Sequence, residues 1–219
     1  TLSSLGEMAA VLAHEIRTPL ASMKGNAQLI AEETPEDTRP RAIVTEAARL
    51  ERLVNGMLDV ARPGALDRDA IDPDALAERT AEMLAPRASE LGVNLLTDPG
   101  DLGPCLQGDR DKLLQVLANL LQNAIQAHAA AGSADPVVVQ VRGSRGAVTF
   151  TILDRGEGLK EPVERLLRPF FSTKQGGTGL GLSVARQLVE QHGGSLSLAP
   201  RSGGGVSAQV QLPKTADVI

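Results

Sequence analysis

His14 and Glu15 sit side by side within LAHEIRTPL (12–20), where Pro19 follows closely. The flanking residues carry a helical period, and His14 lies two positions from both Leu12 and Ile16. That is about 200° of helical rotation from either, so the ring is expected to face solvent, away from the apolar stripe. An exposed imidazole titrates near ~6.5 and is largely neutral and nucleophilic at neutral pH. A neighbouring carboxylate can hold its tautomer and take up a proton while the other ring nitrogen attacks. Pro19 removes the hydrogen bond to the Glu15 carbonyl and predicts a bend beside the ring. A solvated surface histidine without chemistry accounts for the same residues.

A second set lies in QVLANLLQNAIQA (115–127), where Asn119 and Asn123 share one helical face and leucines cover the other. Two amides beside core leucines need partners. They form either a water-solvated edge or donors to a Mg²⁺ held mainly by phosphates. In LDRGEGL (153–159), Asp154 ends a β-rich run, and Gly156 and Gly158 allow close passage of the backbone past a ligand. An acceptor-only carboxylate can read an exocyclic amine such as adenine N6, although a plain turn shares this pattern. In RPFFSTKQGGTGLGLSVARQLVEQHGG (168–194), Gly176, Gly177, Gly179 and Gly181 lead into a helix, and Lys174 precedes them. Glycines before a helix N-terminus expose amides that bind phosphate oxygens, and the lysine adds a point charge. The order is neither that of a Walker A loop nor that of a dinucleotide-binding fingerprint. Phe170 and Phe171 read as a plug that anchors the loop on the core when ligand is bound; a surface turn with one buried ring is the other reading. His128 and His192 stand near helix C-termini, the first where a cation is favoured and the second in a C-cap context.

These segments need a frame. Leu5, Met8, Leu12, Ile16, Leu20, Met23, Ala27 and Ile30 step by three and four, and so do Ile43, Ala47, Leu50, Val54, Met57 and Ala61. The break TPEDTRP separates the two runs, and either Asp37 or Thr38 can cap the second. Two helices cannot bury stripes this wide, so an N-terminal helical hairpin is expected to pair with a second copy as a dimeric four-helix bundle. RPGALDRDAIDPD (62–74) reads as a linker. Beyond it come a helix over about 74–91, strands near 93–97 and 104–108 and a helix over 109–131. VVVQVR and AVTFTI form a predicted hairpin, followed by a helix over 180–192 and strands near 195–199 and 206–212. Helices with a mostly antiparallel sheet predict a two-layer α+β sandwich.

With 42% hydrophobic residues in 219, a sizeable core is available. The net charge of −5 advertises no basic face for nucleic acid. A single cysteine, Cys105, excludes an intrachain disulfide and fits a reducing, cytoplasmic setting, with the thiol a buried bystander. No apolar run is long enough to cross a bilayer, so no membrane contact is expected from these residues. The chain opens without an initiator methionine and is expected to belong to something longer, whose remainder would decide any inner-membrane attachment.

In this order the segments resemble, over nearly the whole chain, the catalytic core of bacterial two-component sensor histidine kinases. LAHEIRTPL is similar to the H box, NLLQNA to the N box, DRGEGL to the first glycine box, RPFFSTK to the F box and GGTGLGLSVARQLVEQHGG to the second glycine box. The resemblance implies a dimerisation and histidine-phosphotransfer domain (1–64), a linker (65–72), an ATP-binding domain (73–214) of the Bergerat type found in gyrase, Hsp90, histidine kinases and MutL, and a tail (215–219). It implies ATP with Mg²⁺ as cofactors, phosphorylation of His14 beside Glu15, and transfer to a response regulator receiver domain. Asn123 then ligates Mg²⁺, Asn119 supports the phosphates, and Asp154 with Gly156 and Gly158 holds adenine. Lys174, Gly177, Thr178, Gly179, Leu180 and Gly181 line the phosphates, 159–178 is the lid, and Thr18 orients water in a reverse phosphatase reaction. Where the family often carries Gly-Thr-x-Phe, this chain has Val206 and Ala208, expected to touch core packing alone. Gln126 replaces a basic residue, weakening phosphate contacts there. Related ATPases carry a glutamate at the Asn119 position, and an amide cannot act as a base. That weighs against the two other readings kept open, a clamp-like ATPase without phosphohistidine and a degenerate dimeric scaffold.

Overall fold

The computed structural model describes residues 2–34, 37–61, 65–103, 105–173 and 179–214. For residues 2–15, 17, 18, 49, 51–53 and 55–61 the description is of backbone alone. The chain divides into two units, Thr1–Gly64 with Pro169–Leu180, and Ala65–Arg168 with Gly181–Ile219.

The first unit is built on α1 (Leu2–Glu33) and α2 (Thr38–Ala61). Asp37 is the cap of α2: its Oδ1 accepts the Arg39 amide at 2.9 Å, and its carboxylate also pairs with the Arg39 guanidinium at 2.8 Å. Those bonds hold the Asp37 carboxyl below the usual carboxylate range. α1 continues as helix through Pro19, which is exposed, so the proline does not break it. The heptad pattern splits in two. Leu20 and Ala27 on α1, and Pro40 and Ala47 on α2, are buried within the hairpin. Ile16, Met23 and Ile30, again at steps of seven, remain exposed together with Ile43 and Leu50.

The second unit is an α+β sandwich. Its sheet runs β2-β4-β5-β7-β6, formed by Leu95–Asp98, Val137–Gly143, Ala147–Leu153, Val206–Pro213 and Ser195–Pro200 respectively. Only β2 pairs parallel to its neighbour, because α4 (Arg110–Ala131) crosses over between β2 and β4. Alternate residues point inward: Val137, Val139 and Val141 from β4, Val148, Phe150 and Ile152 from β5, and Ala208, Val210 and Leu212 from β7 are buried. Helices α3 (Pro73–Glu90), α4 and α6 (Gly181–Gln191) bury their apolar faces, including Leu76, Leu117, Leu121 and Val189. A one-turn helix α5 (Val163–Leu166), unforeseen in the sequence, lies within the segment expected as the lid.

Residues 69–71, expected within the linker, instead form strand β1 (Asp69–Ile71), antiparallel to β3 (Leu106–Gly108). Ile71 is buried opposite Leu106. Three residues are too few to show a period of two, so the strand is invisible until its partner is known. The residues before it are tied to the same unit. Lys112 Nζ donates to the Ala65 carbonyl at 2.9 Å, and the Asp67 amide donates to Asp109 Oδ2 at 3.2 Å.

Candidate functional site

Helix α4 carries the site. Asp109 caps its start by accepting the Lys112 amide at 3.1 Å, and left-handed Gly132 ends it. Its leucine face is buried under the sheet, which leaves Asn119, Asn123 and Ala127 as a track of half-buried residues at steps of four. The Asn119 amide donates to the Gly181 carbonyl at 3.3 Å, which brings the N-terminus of α6 to one end of the track. Gly156 packs on Ala127 at the other end: a Cβ there would lie 2.8 Å from the Ala127 main chain, so only glycine fits. At 1.5 Å of rise per residue the two ends stand about 12 Å apart, the reach of a nucleoside triphosphate laid along the helix.

Asp154 lies at the Gly156 end and is 4% exposed. Its Oδ1 accepts the amides of Gly156 at 2.7 Å and Val206 at 3.2 Å. Oδ2 accepts no hydrogen bond from the described residues, and is placed to take an N–H donor from a ligand. The peptide that follows is held on both sides. The Asp154 carbonyl accepts from the Arg201 guanidinium at 2.7 Å, and the Arg155 amide donates to His128 Nδ1 at 3.2 Å. Burial, and then the charge of Arg155, pushes the Arg201 pKa down from its ordinary value. Gly158 adopts φ +80°, a conformation that costs other residues energy.

His128 departs from expectation. It is fully buried and its Nδ1 accepts a hydrogen bond, so that nitrogen carries no proton and the ring is not a cation at the helix end. His192 does stand at the end of α6, and it does more than stop the helix. Its Nδ1 donates to the Leu188 carbonyl at 2.7 Å while Nε2 accepts the Asp109 amide at 3.0 Å, so the buried ring ties α6 to the cap of α4. Burial pushes its pKa below the ordinary histidine value. Val206 also acts beyond core packing, because its amide reaches Asp154; Ala208 is plain core. Cys105 is buried, as expected.

Phe170 is 62% exposed with φ +64°, so its ring is not seated as a plug in this structure. Gly179 crosses the Phe170–Phe171 peptide so closely that any Cβ would clash with it. Leu180 is buried. Lys174, Gly176, Gly177 and Thr178 lie outside the described residues. The backbone of His14, Glu15 and Thr18 is helical in α1, and their side chains lie outside the described residues, as does the solvent-facing orientation expected for His14. The structure therefore brings together Asn119, Asn123, Asp154, Gly156, Gly158 and Gly181. It adds Arg201, Val206 and His128, which sequence reasoning did not place at the site. The one sequence signal was RSGGG (201–205), three consecutive left-handed glycines after an arginine.

Among the described residues no cluster of three or more His, Cys, Asp or Glu can hold a metal ion. The donors on the track are side-chain amides, hard oxygen ligands suited to a cation that keeps phosphate and water for its other positions. That chemistry fits a magnesium ion arriving with a nucleotide and does not fit a protein cage. No helix of the described residues is long and apolar enough to cross a membrane.

Residues 4–66 match the family model of the His Kinase A (phospho-acceptor) domain. Residues 108–216 match that of the Histidine kinase-, DNA gyrase B-, and HSP90-like ATPase. The sensor histidine kinase ZraS of Escherichia coli K12 is 36% identical over 217 residues, 97% of this chain and 46% of that protein. The C4-dicarboxylate transport sensor protein DctS of Rhodobacter capsulatus is 35% identical over 97% of this chain and 34% of its own length. Full-length ShkA, solved in complex with AMPPNP, superposes with a TM-score of 0.81 at 26% identity, covering 97% of this chain and 47% of that one. Histidine kinase ThkA, solved in complex with the response regulator protein TrrA, gives a TM-score of 0.69 at 26% identity, over 98% of this chain and 63% of that one. The chain thus spans about half the length of the ZraS relatives it matches.

Proposed function

The chain belongs to the two-component sensor histidine kinases, of which it forms a catalytic core, and from that premise we propose that it moves the γ-phosphoryl group of ATP to His14. The observation that carries this reading is the order of modules in one chain: a phospho-acceptor match over 4–66 containing His14, then an ATPase match over 108–216 containing the α4 track and Asp154.

In the step itself, a ring nitrogen of His14 attacks the γ-phosphorus, the bond to the bridging oxygen breaks, and ADP leaves. Glu15 takes the proton from the imidazole. Asp154 holds adenine through Oδ2, Asn119 and Asn123 face the phosphates, and Lys174, Gly177, Thr178, Gly179 and Gly181 are the further phosphate-binding residues. Asn123 is the protein donor to magnesium, which when bound neutralises charge on the phosphates. An amide at Asn119 is no base, so water is not activated and ATP waits for His14. Catalysis is then mainly positioning.

The phosphoramidate is then attacked by an aspartate of a response regulator receiver domain, and Thr18 orients water in the reverse phosphatase reaction. The exposed stripes Ile16–Met23–Ile30 and Ile43–Leu50 support a homodimer through a four-helix bundle. This core works in the cytoplasm and contacts no nucleic acid. His14→Gln should abolish acid-labile incorporation of labelled phosphate while ATP still binds. Incorporation that survived the change would remove His14 as the nucleophile.

A further inference from the structure

We propose that Arg201 is a positioning residue for base recognition: together with His128 it clamps the Asp154–Arg155 peptide and so aims Asp154 Oδ2 at the exocyclic amine of the base. The inference rests on the reading of Asp154 as the adenine contact.

Asp154 sits just past the last paired residue of β5, because the β5–β7 ladder ends at Leu153 opposite Ser207. Beyond that point the ladder no longer sets the backbone torsions. One further pair closes there, with the Asp154 amide donating to the Val206 carbonyl at 3.1 Å. The Asp154 carbonyl faces the other way, over Gly205, where any Cβ would collide with it. The Gly156 amide that holds Asp154 Oδ1 lies one peptide further along, so the orientation of this plane places a donor that fixes the carboxylate. Two side chains from different elements hold the plane at its two polar atoms. Arg201, from the β6–β7 turn, donates to the carbonyl oxygen at 2.7 Å. His128, from α4, accepts the amide of Arg155 at 3.2 Å.

The turn that delivers Arg201 is itself fixed. Arg201 N donates to the Gly205 carbonyl, and the Arg155 guanidinium donates to the Ser202 carbonyl at 2.6 Å and the Gly204 carbonyl at 3.3 Å. Gly203, Gly204 and Gly205 all adopt left-handed φ, between +80° and +97°, which only glycine takes readily in succession. The loop and the turn therefore brace each other, and the nucleotide base needs no contact with Arg201 for the arginine to matter.

The test is equilibrium binding by the whole chain of two probes, ATP and purine riboside triphosphate, which lacks the amine at position 6. The wild-type protein should prefer ATP by about tenfold or more, the worth of a hydrogen bond to a charged acceptor. Arg201→Met should weaken ATP by about tenfold and leave the analogue within about twofold, collapsing the preference. Arg201→Lys, which restores a donor, should recover part of it. Should Arg201→Met fail to fold, Arg201→Gln, too short to reach the carbonyl, replaces it with the same expectation. An unchanged preference in a folded variant overturns the inference, and so does equal weakening of both probes, which would mark a merely structural arginine. A wild-type protein without preference would instead overturn the adenine reading of Asp154, and the clamp with it.

Discussion

At Asp154 the chemistry turns on which oxygen is already taken. Oδ1 carries two backbone N–H donors, so in Asp154→Asn the amide oxygen stays on that side and the NH₂ group replaces Oδ2. A donor then faces the donor amine of adenine. We expect ATP affinity to fall by at least about tenfold, the loss of one charge-assisted hydrogen bond. Preference should shift towards inosine triphosphate, whose position-6 oxygen accepts; competition binding reads both, and an unshifted preference would free Asp154 of its role. Gly156 is a second residue where one atom decides. A Cβ 2.8 Å from Ala127 forces the loop off α4, so Gly156→Ala should cost about 1–3 kcal/mol of stability and weaken ATP binding further. Denaturant unfolding and nucleotide titration check the two parts.

Elements are held in register by a few polar ties, and His192 is the tie most sensitive to pH. It joins α6 to the cap of α4 as a neutral ring, and burial keeps its folded-state pKa below the ordinary value near 6.5. The unfolded chain therefore binds the proton more readily than the folded one. The contribution is full above about pH 6.5 and is lost as pH falls through and below that value, at a slope of up to about 1.4 kcal/mol per pH unit for one group. Urea unfolding between pH 7.5 and 5.5 should show this decline, and His192→Asn should flatten it at a lower overall stability. On α1 and α2 the unpaired stripes make a separate prediction. Ile30→Glu with Ile43→Glu should convert a dimer to a monomer in light scattering while far-ultraviolet dichroism keeps its helical signal. A wild-type chain that is monomeric at micromolar concentration would end the bundle reading.

At the scale of the molecule, acceptor and nucleotide site belong to separate stretches of chain, and the second carries its own core. Residues 65–219 alone should fold and bind ATP but take up no label. Adding residues 1–64 as a separate hairpin should restore acid-labile labelling in proportion to hairpin concentration. Labelling of 65–219 by itself would mean a phosphate acceptor other than His14.

Local pattern marked both long helices, α4 and α6, because a run of ten or more residues repeats its burial pattern often enough to be read without a partner, and the β4–β5 hairpin was legible from two β-rich runs around a glycine turn. Residue type and spacing singled out His14, Asn119, Asn123, Asp154 and the glycines as candidates, and the five motifs in order, not any one of them, tied them to a family. Tertiary structure decided the rest. Strand β1 exists through its pairing with β3, His128 is neutral at Nδ1 because Arg155 N–H points at it, and Phe170 stands in solvent. Arg201 and Val206 join the site only because the β6–β7 turn folds back over the end of β5, a contact between residues 47 and 52 positions apart. Local sequence encodes torsional preference and burial, while the partner of a distant carbonyl depends on how the strands are ordered in the sheet.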